Sequence, residues 1–348
     1  MGSKTYDCEN KSCCHTKVIC HTCKSRFCNS CGQKATEKWI AHQGEILPDC
    51  EYRHLTFTMP DVFWEVFKLN RSLLNPLFAI AAQSLLHFAK QKNLTIGMFA
   101  ALHTYGRQLN FNTHIHLSLA KFALNKHGTL VVFYFPFKRL MGMWRKGIID
   151  LLRAHYDDII LPEELAQQIR NESDWIRFLD IQYNRHWQVN IAKKTSHKNQ
   201  TKNYLGKYLK KPPIAAARLQ HMHNDNVTFE YLDHRTNENK YLTISTEEML
   251  IRLLSHIPEK YFRMIRYFGF LSNRLRGTLL PIIYEKLGQT VSELQPVTFA
   301  SMMKNMLRTD PYQCILCGGR MRFTTYHAGL KLFQLRRNIK NLALLKPV

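Results

Sequence analysis

Apolar and polar positions alternate with a period of two along "EYRHLTFTM" (51–59): Leu55, Phe57 and Met59 fall on one side, His54, Thr56 and Thr58 on the other. That alternation predicts a half-buried strand, ended by Pro60-Asp61. The period then lengthens to that of a helix over 62–92, with a break expected where Pro76 follows Asn75. Three further strands are predicted at 97–106, 110–122 and 128–135, separated by polar turns at 110–113 and 125–128. Amphipathic stretches at 137–155 and 163–180 predict helices, "HWQVNIAK" (186–193) another strand, and 198–211 a helix stopped by Pro212-Pro213. Residues 226–234 and 240–245 pattern as a hairpin. Ser245 then caps a helix, with Glu248 three residues on completing a capping box. Beyond it the chain is basic and helical in pattern, with aromatic residues at Tyr261, Phe262, Tyr267, Phe268 and Phe270. Strands separated by helices, with neighbours close enough to pair antiparallel, indicate an α+β central domain.

One strand carries an anomaly. In "NFNTHIHLSLAKF" (110–122), Ile115, Leu117 and Leu119 make the core-facing side, which places His114 and His116 together on the opposite side, about 7 Å apart by backbone rise. Two neutral imidazoles there could chelate one divalent cation and leave positions for a third ligand, water and substrate oxygens. Taken alone, a His-x-His pair is more often two surface histidines.

"TKNYLGKYLKKPP" (201–213) adds a second constellation. Tyr204 and Tyr208 are four residues apart, one turn on the predicted helix, among Lys202, Lys207, Lys210 and Lys211. No acidic residue occurs between Asp180 and Asp225, and Arg218 extends the basic run. Such a surface suits a phosphodiester backbone, although tyrosines at this spacing commonly pack on a sheet. A phenol, with its pKa near 10, needs help to attack phosphate; a polarising divalent cation and surrounding lysines supply it.

Charge widens the picture. The chain of 348 residues has 49 Lys and Arg against 26 Asp and Glu, a formal +23 that invites a polyanionic partner. No secretory signal begins the chain, and the longest apolar run, "PLFAIAAQSLLHFA" (76–89), is interrupted by Gln83 and His87 and is short for a membrane span. The expectation is a cytoplasmic protein whose thiols stay reduced. Of ten cysteines, seven lie within the first 31 residues. Cys28-x-x-Cys31 followed by Gly32 has the form of a metal-binding knuckle, and Cys8 with Cys13 supplies a second pair, predicting a structural Zn²⁺. Cys20, Cys23, His15 and His21 stand in reserve. A lone "CILCGG" (Cys314, Cys317) near the C-terminus looks like half a zinc site that His327 or a spare N-terminal cysteine could complete.

In combination these residues resemble the HUH endonucleases, in which a His-hydrophobic-His pair holds the metal and a helix-borne tyrosine is the nucleophile. The ordered series "CKSRFCNSCG", "LHTYGRQLNFNTHIH", "YLGKYLKKPPIAAARL", "VTFEYLDHRT" and "LLSHIPEKYFRMIRYFGF" is similar to the rolling-circle transposases of the insertion sequence ninety-one family, across nearly the whole chain. The resemblance implies a zinc-binding module over 1–48, a nuclease and strand-transferase domain over 49–222 built on a central antiparallel sheet flanked by helices, and a C-terminal hairpin and helical accessory region over 223–348. It implies His114 and His116 as ligands of Mg²⁺ or Mn²⁺, with Gln108 as first candidate for a third ligand and His103 behind it. Tyr204 and Tyr208 are implied as paired nucleophiles that nick single-stranded DNA at transposon ends, form a 5′-phosphotyrosine and pass the strand to target DNA, in association with the bacterial nucleoid. Two features depart from the family pattern: the four-residue gap between Cys8 and Cys13, and a start just ahead of Cys8 where relatives carry a longer N-terminal stretch. Replication initiators and relaxases share this chemistry, and a non-catalytic DNA-binding derivative or a zinc-centred deaminase or hydrolase are the other readings.

Overall fold

The computed structural model describes residues 2–21, 28–185, 187–191, 197, 213–233, 236–290, 298, 300–301, 303–304 and 308–329. In chain order its first elements are β1 (Ser3–Cys8), β2 (Thr16–Cys20), α1 (Asn29–Ile46), β3 (Tyr52–Phe57), α2 (Trp64–Leu69), α3 (Leu74–Gln91), β4 (Leu94–Tyr105), β5 (Phe111–Asn125), β6 (Leu130–Val132) and α4 (Phe137–Ala154). They are followed by α5 (Glu163–Ala166), α6 (Glu172–Tyr183), β7 (Val189–Ile191), β8 (Leu219–His223), β9 (Asn226–Asp233), β10 (Glu238–Ser245), the helix Thr246–Ser255, β11 (Ile265–Gly269), the helix Arg276–Lys286 and β12 (Met321–His327). The chain divides into two compact units, 39–294 and a second made from 1–38 with 295–348.

The larger unit is built on an antiparallel sheet of order β11-β4-β5-β3-β7, with β6 also paired to β5. Period-two alternation divides its faces. Leu55, Phe57, Met98, Ala100, Leu102, Ile115, Leu117 and Leu119 all point one way, into a core closed by α2, α3, α4 and α6. On the opposite face Tyr52, Phe99, Ala101, Ala120 and Phe122 pack under Ile46, Leu47, Phe270, Leu271, Ile283 and Tyr284. That second cluster covers one end of the face. The other end carries histidine.

Helix α3 with the turn before it, Arg71–Gln91, is long and apolar enough to cross a membrane by length and composition, which the shorter run identified in the sequence had not suggested. Its apolar stripe, Leu74, Leu77, Phe78, Ala81, Ala82 and Leu85, is buried against the sheet instead. The helical break falls at Asn70 rather than at Pro76, which sits harmlessly in the first turn of α3. Asn70 makes the break tolerable: its amide donates to the carbonyls of Val66 and Ile160 and accepts from the Ile160 N–H, so backbone groups left over at the corner are satisfied. The predicted hairpin is present as β9–β10, and the Ser245 hydroxyl accepts from the Glu248 N–H as a cap does. The Glu248 carboxylate turns to Arg252. A correction concerns the basic C-terminal part. Residues 265–269, patterned as helix, form β11 at the edge of the main sheet. Both faces of this strand are half-buried, Phe268 against one core and Ile265 and Tyr267 against the other, so no alternation marks it.

The smaller unit contains a three-stranded antiparallel sheet of order β12-β1-β2, in which β1 lies between β2 and the last strand among the described residues. The hydrophobic clusters of the described residues all lie in the larger unit.

Candidate functional site

At the other end of that face of the main sheet, β4 and β5 pair so that His103 stands opposite His114, while His116 lies two pairs further on, opposite Ala101. Alternation puts all three side chains on the same face. Their rings pack edge to face, with centroids 5.3 Å apart for His103 and His114, 4.4 Å for His103 and His116, and 4.9 Å for His114 and His116. One ring nitrogen from each lies within 4.8 Å of the others, as three ligands of one cation require. The rings are held from behind. The Asn112 carbonyl accepts from His114 Nδ1 at 2.9 Å, and the Thr56 hydroxyl meets His116 Nδ1 at 3.3 Å, so in both rings it is Nδ1 that is engaged by a neighbouring oxygen. Tyr105, two residues beyond His103 on β4, stacks on its ring at 5.5 Å.

Burial keeps the rings of His114 and His116 neutral, which is the form that binds metal. Desolvation lowers the pKa of His114 to about 4, against a small opposing effect of the Asn112 carbonyl. His116 falls to about 3, through desolvation first and the neighbouring His114 and His54 second. His54 sits beside them on β3, buried, its Nδ1 2.7 Å from the Ser118 hydroxyl, and burial lowers it to about 4.

Gln108 is not part of this group. It is exposed in the 106–110 turn between β4 and β5, and the third side chain that converges with His114 and His116 is His103. A glutamine immediately before the histidines in sequence is carried past them by the turn, whereas a residue on the paired strand is brought opposite. The turn itself is clamped. The guanidinium groups of Arg218 and Arg252 donate to the carbonyls of Arg107 and Gln108, His256 Nε2 lies 2.9 Å from the Leu109 carbonyl, and Leu109 is buried with Ile214, Val227, Phe229 and Met249. Arg218, expected on a DNA surface, is half-buried and bonded to backbone carbonyls of Glu230 and Arg107. Tyr204 and Tyr208, with Lys202, Lys207, Lys210 and Lys211, lie outside the described residues.

The thiols regroup as well. In the smaller unit Cys8, Cys13, Cys314 and Cys317 converge, each Sγ within 4.8 Å of the others. The expected set paired Cys8 and Cys13 with Cys28 and Cys31. Those two instead begin α1 apart from the cluster, with the Cys31 N–H 3.5 Å from Cys28 Sγ, and Cys23 lies outside the described residues. The difference follows from strand pairing: β12 runs antiparallel to β1 with Met321 opposite Cys8, which brings the C-terminal "CILCGG" to the end of β1. Four thiols this close cannot all ionise without a cation. Asn10 favours the Cys8 thiolate, but burial and the neighbouring Cys317, Cys314 and Cys13 push that thiol up to about 12. Burial opposes ionisation of Cys314 too, yet the Cys317 and Leu316 backbone N–H groups, with His15 and Cys13, bring it down to about 6. A divalent cation would resolve this conflict by replacing the shared protons.

A family model described as "Transposase zinc-binding domain" matches residues 1–59, and one described as "Putative transposase" matches residues 97–278, over half of the chain. The class is thereby set: a transposase with a zinc-binding domain. The chain is 44% identical along its whole length to the transposase for insertion sequence element IS801 of Pseudomonas savastanoi pv. phaseolicola, of which it covers 85%. It belongs to that transposase family. It is also 27% identical, over 91% of its length, to "Putative transposase y4qJ" of Sinorhizobium fredii (strain NBRC 101917 / NGR234), covering 83% of that protein. No solved structure matches the chain.

Proposed function

We propose that this transposase cuts and rejoins single-stranded DNA at the ends of its element, with Tyr204 and Tyr208 as nucleophiles and His103, His114 and His116 as ligands of a catalytic Mg²⁺ or Mn²⁺. The observation that carries the reading is the convergence of three imidazoles at one end of one sheet face, two of them oriented through Nδ1. A bound divalent cation would supply Lewis-acid polarisation of the scissile phosphate. The chain's own residues do the rest. A tyrosine phenol attacks phosphorus, the P–O3′ bond breaks, the departing 3′-oxygen takes up a proton, and the 5′-phosphate stays on the tyrosine. The phosphotyrosine keeps the bond energy, so a later 3′-hydroxyl reverses the step without ATP. Two phenols let one strand be held while a second is attacked.

The described residues flanking the tyrosine stretch support this assignment. Asn190 on β7 pairs with Thr56, the residue bonded to His116, and Ile214 packs on Leu109 in the turn leading to His114. Both ends of the stretch are therefore tied to the sheet that bears the histidines. The excess of basic residues suits a DNA partner. Replication initiators share the proposed chemistry, and the transposase relatives favour element ends over an origin.

The test uses purified full-length protein, an oligonucleotide of an element end and Mn²⁺. The wild type is expected to give a covalent protein–DNA adduct that survives denaturation. Tyr204→Phe with Tyr208→Phe abolishes the adduct while leaving single-strand binding within about twofold, and His103→Ala weakens Mn²⁺ binding at least about tenfold. Adducts persisting in the double variant would overturn the nucleophile assignment. Unchanged Mn²⁺ affinity in His103→Ala would overturn the third ligand.

A further inference from the structure

The zinc-binding family model ends at residue 59 and the other ends at residue 278, so the "CILCGG" knuckle at 314–319 lies beyond both. We propose that the structural zinc is held by a site divided between the two ends of the chain, with Cys8 and Cys13 from one end and Cys314 and Cys317 from the other.

Distances support four thiolates around one ion. Sulfurs about 2.3 Å from a tetrahedral Zn²⁺ stand about 3.8 Å from one another. Cys8 and Cys317 are 3.4 Å apart, and Cys13 and Cys314 are 3.7 Å apart. Both separations are far longer than the roughly 2.0 Å of a disulfide. The backbone around them is that of two facing knuckles. On the C-terminal side Gly318 donates to the Cys314 carbonyl at 2.9 Å and Cys314 donates to the Gly319 carbonyl at 2.7 Å, a turn in which Gly318 takes a positive φ of +75° that favours glycine. A Cβ on Gly319 would fall 3.3 Å from Cys317 Sγ and 3.4 Å from Cys8 Sγ, so a side chain there would crowd the thiols. On the N-terminal side Cys13 donates to the Asn10 carbonyl, and the Asn10 side chain accepts from Ser12. The two knuckles are tied by the Glu9 N–H to the Arg320 carbonyl at 2.9 Å and by the Glu9–Arg322 ion pair. His15 Nδ1 approaches Cys314 Sγ at 3.1 Å and supplies an outer contact to a ligand sulfur.

The surroundings say why this sheet would need a metal. Among the described residues of the smaller unit, Cys314 and Met321 are its buried members of the apolar core, and Val18, Phe323 and Tyr326 are exposed. The described residues of this sheet bury too little apolar surface to offset their loss of chain entropy by packing among themselves. A tetrathiolate at the junction of its first and last strands supplies what packing does not.

The experiment uses the full-length protein as purified with zinc. Cysteines are alkylated and mapped by mass spectrometry before and after chelation, and zinc is counted by native mass spectrometry. Protection of Cys8, Cys13, Cys314 and Cys317 that is lost together on chelation is expected, with exposed Cys14 labelled throughout. Cys314→Ser with Cys317→Ser should bind one zinc fewer and leave Cys8 and Cys13 reactive. Cys314→His, which keeps a ligand, should retain the ion. Cobalt substitution gives a direct reading: the thiolate-to-cobalt charge-transfer band should drop in Cys314→Ser. The proposal is overturned if Cys314 and Cys317 label at the same rate with and without zinc. It is equally overturned if their double replacement leaves zinc content unchanged, or if the four thiols prove to be paired as disulfides. None of these readouts involves DNA cleavage, so failure here and failure of the proposed strand chemistry are separable.

Discussion

His116 condenses the physics of the histidine cluster. Its neighbours Ile115 and Leu117 are in the core, its Nδ1 meets Thr56, and its ring touches two other imidazoles. Protonating any one of these rings would place a charge where there is little water. The folded pKa values of His54, His114 and His116, about 4, 4 and 3, all lie below the ordinary 6.5. The unfolded chain therefore binds protons first on acidification. This contribution to stability is complete above pH 6.5 and is lost as pH falls towards the folded values. Metal-free protein should lose stability below pH 6.5, by up to about 1.4 kcal/mol per pH unit for each such ring. Urea denaturation at pH 7, 6 and 5 reads this out, and His54→Gln should decline less steeply than the wild type. Identical slopes for the two proteins would refute the origin assigned to the loss. Of this cluster, His114 and His116 are legible in a single sequence because i and i+2 on a strand share a face. His103 acquires its meaning only from the register that sets it opposite His114, and register is a property of two strands.

At the level of elements, the edge strand β11 shows how a weakly patterned segment is fixed by its neighbour. Gly97 on β4 lies opposite Gly269 on β11, and the Phe270 ring occupies the space a side chain on Gly97 would take, 2.1 Å from the position of a Cβ. The sequence signal for this strand is thus a gap in β4 rather than an alternation in β11. Gly97→Ala should destabilise the protein by about 1–3 kcal/mol, and Phe270→Leu should relieve part of that penalty. A double-mutant cycle by chemical denaturation checks it, with strictly additive effects counting against the packing described. Elements with strong local signals needed no such partner. The β9–β10 hairpin, the Ser245 cap and the amphipathic α4 form where their patterns place them. The C-terminal knuckle, by contrast, carries a clear ligand spacing but no clue to its partners, since Cys8 and Cys317 are 309 residues apart.

For the whole molecule, the charge of +23 governs how DNA is met. Neutralising phosphates releases counterions, so binding of a single-stranded oligonucleotide should weaken linearly in log–log plots against salt, losing on the order of a hundredfold or more between 50 and 200 mM if about five or more phosphates are contacted. Fluorescence anisotropy across that range measures the slope, and a flat profile would mean that the basic excess is not a DNA-facing surface. The expected architecture of an antiparallel sheet with flanking helices and a cysteine-rich start was legible because each part announces itself locally.

The placement of β1 between β2 and β12 has a temporal meaning as well. A ribosome delivers Ser3–Cys8 long before Met321–His327. Throughout synthesis the opening strand must wait with one edge bare, an invitation to pair with other chains. A product cut short between β2 and β12 would keep that edge uncovered, so the small sheet is completed only by residues that emerge long after its first two strands.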